Sequence, residues 1–222
     1  VRGTMAAGSS WIHLPRSGGS APTDQQAGKS QNAMEIAGEA SEAAPEDISV
    51  AIFFAKMCLT RGLATQAAAV LEQAIHSDLN NAEAWHLLST AANSSGILPV
   101  PLHYAQKSIQ LNRNTAPPYT TLATAHRMNG NLNESLSSYN QALAIDETSS
   151  EAVAGKAEVL VSLGRIEDAD NILKSTPPSH SVLVALAKVR VARLLHKPKE
   201  ALEAIDSVFT PSLSPFHTSH LL

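Results

Sequence analysis

From Asp47 onward, apolar residues recur at steps of three and four. That spacing lays them along one face of a 3.6-residue helix and predicts a run of amphipathic helices. The runs break at Gly, Asn and Pro, and no segment alternates apolar and polar positions for long enough to predict a strand. Residues 1–46 differ. Ser, Gly, Ala, Pro and Gln dominate there without a sustained period, in stretches such as Ser17-Gly18-Gly19-Ser20. Such segments bury too little apolar surface to offset the entropy of ordering, so 1–46 reads as a disordered leader. Within it, Met34 to Ala44 has the Ala/Glu composition of a transient helix, and Trp11-Ile12-His13-Leu14 is an isolated apolar patch.

Four glycines set a longer period. Gly62, Gly96, Gly130 and Gly164 stand 34 residues apart. Each falls where one helix must end and the chain reverse, a place for a left-handed residue that a β-carbon makes costly. Aligning on them brings other columns into register. Ala55, Ser89, Ala123 and Ala157 precede the glycines by seven; Ala74, Ser108, Ala142 and Thr176 follow by twelve. Small side chains at these places let helices approach closely. Trp85 and Tyr119 open the first helix of their repeats, with Trp85 expected as a buried anchor. Phe54, Leu88, Leu122, Leu71, Tyr139 and Leu173 continue the core.

A 34-residue helix–turn–helix period with these columns resembles the tetratricopeptide repeat family. Ala82-Glu83-Ala84-Trp85-His86-Leu87-Leu88 is similar to a family helix A. Residues from Gly130 to Leu143, with Tyr139 and Ala142, are similar to a family turn and helix B. The resemblance implies an all-α fold: a right-handed α-solenoid of about five antiparallel hairpins over residues 47–209. The repeats fall near 48–81, 82–115, 116–149, 150–181 and 182–209. The last is degenerate, with His196 where the turn glycine belongs. Residues 210–222 read as the start of a further, truncated helix. The family's inter-repeat proline is replaced by Leu79, Arg113 and Glu147, while Pro99 and Pro101 fall early in the expected second helix B.

Composition narrows the chemistry. Net charge is −4, which disfavours a general nucleic-acid binder. Hydrophobic residues are 44% but aromatics only 4%, a mix that suits close helix packing over a β-sandwich. Without a membrane-length apolar run, no membrane contact is expected, and a cytoplasmic setting is the default. Cys58 is the sole cysteine, so neither an intramolecular disulfide nor a thiolate zinc site is expected. It reads as a small buried hydrophobe. The nine histidines form no HExxH or i, i+4 pair, and the glycines form no phosphate-binding loop. No catalytic, metal or cofactor site is expected, and the chain reads as a scaffold rather than an enzyme.

By the same resemblance, helix A lines a concave groove that takes an extended peptide or a partner helix. The groove positions hold Lys56, Glu83, His86, Thr90, Asn93, Thr120, Thr124, Arg127, Glu158, Arg190 and Arg193, with Thr60 and Glu151 beside them. The family's clamp for a C-terminal acidic tail falls on Ile52, Lys56, Leu87, Pro117 and Thr121, of which only Lys56 is basic, so that specificity is not expected. A run of cations, Lys188, Arg190, Arg193, Lys197 and Lys199, predicts that this end steers an acidic segment. Two further readings stay open: a repeat arm ahead of a sulfotransferase or glycosyltransferase domain, and self-association through a repeat edge.

Overall fold

The computed structural model describes residues 24–176 and 181–209, and these form eleven α-helices with no strand among them. The helices are α1 (Asp24–Ala43), α2 (Ile48–Thr60), α3 (Ala64–Ala74), α4 (Ala82–Ser95), α5 (His103–Leu111), α6 (Ala116–Met128), α7 (Leu132–Ile145), α8 (Ser150–Ser162), α9 (Ile166–Ser175), α10 (Val182–Leu194) and α11 (Pro198–Phe209). From α2 onward they pair into five hairpins. The A helices (α2, α4, α6, α8, α10) pack on one another in chain order; α3, α5, α7 and α9 each pack on the A helices before and after them, and α11 packs on α10. The result is an all-α repeat solenoid. The apolar patch at Trp11 to Leu14 and the truncated helix expected at 210–222 lie outside the described residues.

The helix starts follow from local side chains. Asp47 accepts hydrogen bonds from the Ser49 and Val50 amides, Asn81 from Ala84 and Ser149 from Ala152. These caps satisfy amides that have no partner within the helix. The ends follow from the turn residues. Gly62, Gly130 and Gly164 all have φ between 75° and 83°. In each case the next residue's amide bonds back to the helix: Leu63 to Cys58 O, Asn131 to His126 O, Arg165 to Leu160 O. That six-to-one closure requires the left-handed residue. The fifth turn closes the same way, Lys197 to Ala192 O at 2.8 Å. There His196 takes φ 57°, the sole non-glycine with positive φ among the described residues.

Packing follows the small-residue columns. Ala55, Ala67, Leu71, Ala84 and Leu88 are enclosed in the first core cluster, and Ala74 is fully buried as well. Two buried serines bond a carbonyl of the paired helix through the hydroxyl, Ser108 to Ala82 O and Ser135 to Ala123 O, both at 2.7 Å, whereas the buried Ser89 hydroxyl has no partner among the described residues. The absent inter-repeat proline is compensated by the aromatic opening the next helix. Trp85 Nε1 donates to Leu79 O at 2.9 Å, and Tyr119 OH donates to Arg113 O at 3.3 Å. Each ties down the loop residue that stands in the proline column. This duty leaves Trp85 half-buried, stacked on Tyr104 at 6.0 Å, in place of the buried anchor expected.

Two elements differ from the sequence reading. Residues 24–43 form α1, where a disordered leader was expected. Ala37 and Ser41 are buried and Gly38 lies against Phe54, so packing on α2 supplies the burial that composition alone did not suggest. Pro99 and Pro101 lie outside helix B of the second hairpin, because α5 starts only at His103. Proline disfavours the α-region for the residue before it, so Leu98 and Val100 cannot join the helix. The shortened hairpin is held by Asn129, whose amide group pairs with Val100 in both directions, 2.7 Å from Val100 N and 2.9 Å to Val100 O.

Candidate concave groove

The A-helix layer carries the expected positions into three local groups. In the first, Lys56 on α2 meets Glu83 on α4 at 2.5 Å. His86 sits one turn beyond Glu83, its Nδ1 buried without a hydrogen-bond partner. Burial lowers its pKa, Glu83 opposes that shift and Lys56 adds to it, so the imidazole is neutral near pH 7. The Thr90 hydroxyl is occupied by His86 O at 3.0 Å.

In the second group, the Asn93 side-chain amide donates to Thr121 O at 2.9 Å and ties α4 to α6. Its Oδ1 remains buried and unpaired. Thr120 is 2% exposed and bonds Ala116 O. It is therefore a packing residue and not a groove contact, because the neighbouring hairpins close over its column.

In the third group, Thr124 bonds Thr120 O at 3.0 Å and meets Tyr139 OH, also at 3.0 Å. Arg127 reaches Glu158 at 3.7 Å, a loose pair, and its Nε is buried without a partner. Burial raises the Tyr139 pKa, against lowering by Thr124 and Arg127. Burial likewise raises the carboxyl pKa of Glu151. Tyr139 belongs to a B helix, yet its hydroxyl passes through the A layer to this group. The passage exists because residue 155 is glycine. A Cβ there would fall on the Tyr139 ring edge and hydroxyl oxygen. Sequence reading placed Tyr139 in the core and missed this polar reach. A glycine inside an otherwise regular helix was the signal, since it costs about 1 kcal/mol against alanine and marks close approach.

Arg190 and Arg193 stand apart from these groups, on exposed turns of α10. The cation run around them is partly neutralised. Lys197 lies 3.0 Å from Asp170 and 3.6 Å from Glu200, and Lys174 lies 2.9 Å and 3.1 Å from the same two acids. Burial pushes the Asp170 carboxyl up, but hydrogen bonds from Lys174 and Lys197 outweigh it and hold its pKa below the ordinary value. Cys58 is buried, and that burial pushes its thiol up to about 11 against a smaller lowering by Arg61. Among the described residues there is no cluster of metal-ligating side chains, and no helix is long and apolar enough to cross a membrane.

The family model described as tetratricopeptide repeat matches residues 126–182. Among solved structures, a tetratricopeptide repeat protein from Parabacteroides merdae aligns with TM-score 0.69 at 13% identity, covering 86% of this chain and 76% of that one. PilW, a type IV pilus biogenesis factor, aligns with TM-score 0.68 at 15% identity, covering 85% and 90%. YrrB, described as having an unusual peptide-binding site, aligns with TM-score 0.53 at 17% identity, covering 79% and 92%. At these identities the likeness is one of fold. No curated protein sequence matches the chain.

Proposed function

We propose, for a chain that is a tetratricopeptide repeat protein by its solenoid fold and by the family match over residues 126–182, that its concave face binds an extended segment of another protein. The observation that carries this reading is the polar belt on the A helices. It combines ion pairs open to solvent, Lys56–Glu83 and Arg127–Glu158, with side-chain atoms that lack any partner: His86 Nδ1, Asn93 Oδ1 and Arg127 Nε. Unpaired buried polar atoms are costly. A peptide main chain lying along the belt supplies both donors and acceptors to them, and small side-chain rotations bring them to it. YrrB, of the same fold, is described as a peptide binder. The chain then acts as a non-catalytic scaffold.

Selection of peptides from a random displayed library tests this. Peptides enriched on the protein should lose binding to Asn93→Ala with Arg127→Ala. They should keep binding to a variant altered on the outer helices, such as Glu134→Ala. Equal binding to both variants would place recognition elsewhere.

A further inference from the structure

We infer that the groove takes a basic side chain of the bound segment at Glu151 on α8, an inference that rests on the peptide-binding reading above. The repeat register carries it. Glu83 and Glu151 are each the second residue of their A helix, and Lys56 and Thr124 are each the ninth residue of the A helix before. Between the first two hairpins, Lys56 answers Glu83 at 2.5 Å. At the equivalent place two repeats on, Thr124 stands where the lysine stood and has no charge to give. Glu151 is exposed, and no base among the described residues forms an ion pair or hydrogen bond with it. Arg127, one turn after Thr124, pairs with Glu158 instead. The carboxylate of Glu151 is therefore left to a cation from outside the chain, and the Lys56–Glu83 pair shows that the register brings such a cation within contact.

Hydrogen-bond directions around Glu151 agree with a donor arriving from outside. The Thr124 hydroxyl has one proton, which goes to Thr120 O at 3.0 Å. Towards Tyr139, also 3.0 Å away, Thr124 therefore accepts and the phenol donates. Each oxygen keeps a lone pair and neither has a proton to spare. Glu151 lies near enough for its charge to act on the Tyr139 hydroxyl. A carboxylate beside two hydroxyl oxygens that can only accept suits an ammonium or guanidinium, which can only donate. The same group repels an acidic side chain and offers it no donor. Access is open as well, because the next turn of α8 carries Ala154 and Gly155 where α4 carries His86 and Leu87.

Peptides enriched from the random displayed library test the inference. Those that depend on Asn93 and Arg127 should carry a lysine or arginine at a constant place. Changing that residue to glutamine should weaken binding to the parent protein roughly tenfold, and by less at high salt. Glu151→Gln should keep the helical circular dichroism and weaken binding of the original peptide to the same degree. Against that variant the basic peptide and its glutamine form should bind alike. A peptide with glutamate at that place should bind Glu151→Lys more tightly than it binds the parent. Peptides that depend on Asn93 and Arg127 but share no basic residue, or that ignore Glu151→Gln, would overturn this inference and leave the groove reading standing. Peptides indifferent to Asn93 and Arg127, or a library that yields none, would overturn both.

Discussion

Replacing Gly155 by alanine sets two effects of opposite sign against each other. Gly155 lies within α8, in ordinary helical backbone, where alanine is favoured by about 1 kcal/mol. If backbone propensity alone mattered, Gly155→Ala would stabilise the fold by about that amount. The added methyl, however, would overlap Tyr139. That ring is 2% exposed and packed among Ala116, Ala123, Ala142, Ala152 and Val159, so it has no space to retreat into. Overpacking of this kind costs about 1–3 kcal/mol. A shifted ring also gives up the hydroxyl contact with Thr124, worth about 1 kcal/mol. The expected net is a destabilisation of about 1–3 kcal/mol. Urea unfolding followed by circular dichroism measures it, with any separate melting of the C-terminal hairpins noted, since repeat arrays unfold unevenly. Tyr139→Leu in the same chain makes room for the methyl, so the double variant should lie above the sum of the two single changes. A stabilised Gly155→Ala protein, or strict additivity with Tyr139→Leu, would refute the close approach of α7 to α8 on which this group is built.

Other predictions rest on single positions. His196→Gly should raise stability by about 1 kcal/mol, because the fifth turn keeps its closing bond while the left-handed strain on a residue with a β-carbon disappears; an unchanged or lower unfolding midpoint would contradict the turn geometry. His86 has a folded-state pKa below its ordinary 6.5, so protonation favours unfolding. Its contribution is complete above that value and is lost as pH falls below it, and His86→Gln should flatten the stability profile between about pH 7 and 5 relative to the parent. The Cys58 thiol, buried and pushed up to about 11, should react with a thiol reagent at pH 8 only as fast as the surrounding helices open; immediate reaction in the folded protein would place it at the surface. Trp85→Ala should cost about 2–3 kcal/mol, below the range for a fully enclosed aromatic, with Trp85→Phe retaining the Tyr104 stacking but losing the bond to Leu79 O.

The sequence by itself determined the periodic part of this protein. Turn glycines every 34 residues and small residues at fixed offsets specify helix, reversal and close approach locally, because left-handed backbone and short interaxial distance each demand a particular residue type. The identity of His196 as the fifth turn residue was legible for the same reason, its spacing to Gly164 outweighing its chemistry. What only the tertiary structure decided concerns residues whose roles depend on a distant partner. α1 has the composition of a tail, and it orders because α2 offers Phe54 and a surface for Ala37 and Ser41. Thr120 has a groove position and a polar side chain, yet neighbouring hairpins close over it. The Tyr139 hydroxyl reaches Thr124 only because Gly155, sixteen residues later, leaves the ring a path. Lys197 looked like free charge until hairpins four and five brought Asp170 and Glu200 beside it. Local rules fix backbone turns and helix faces, but burial and pairing are properties of two segments at once, and one segment's sequence carries only half of each.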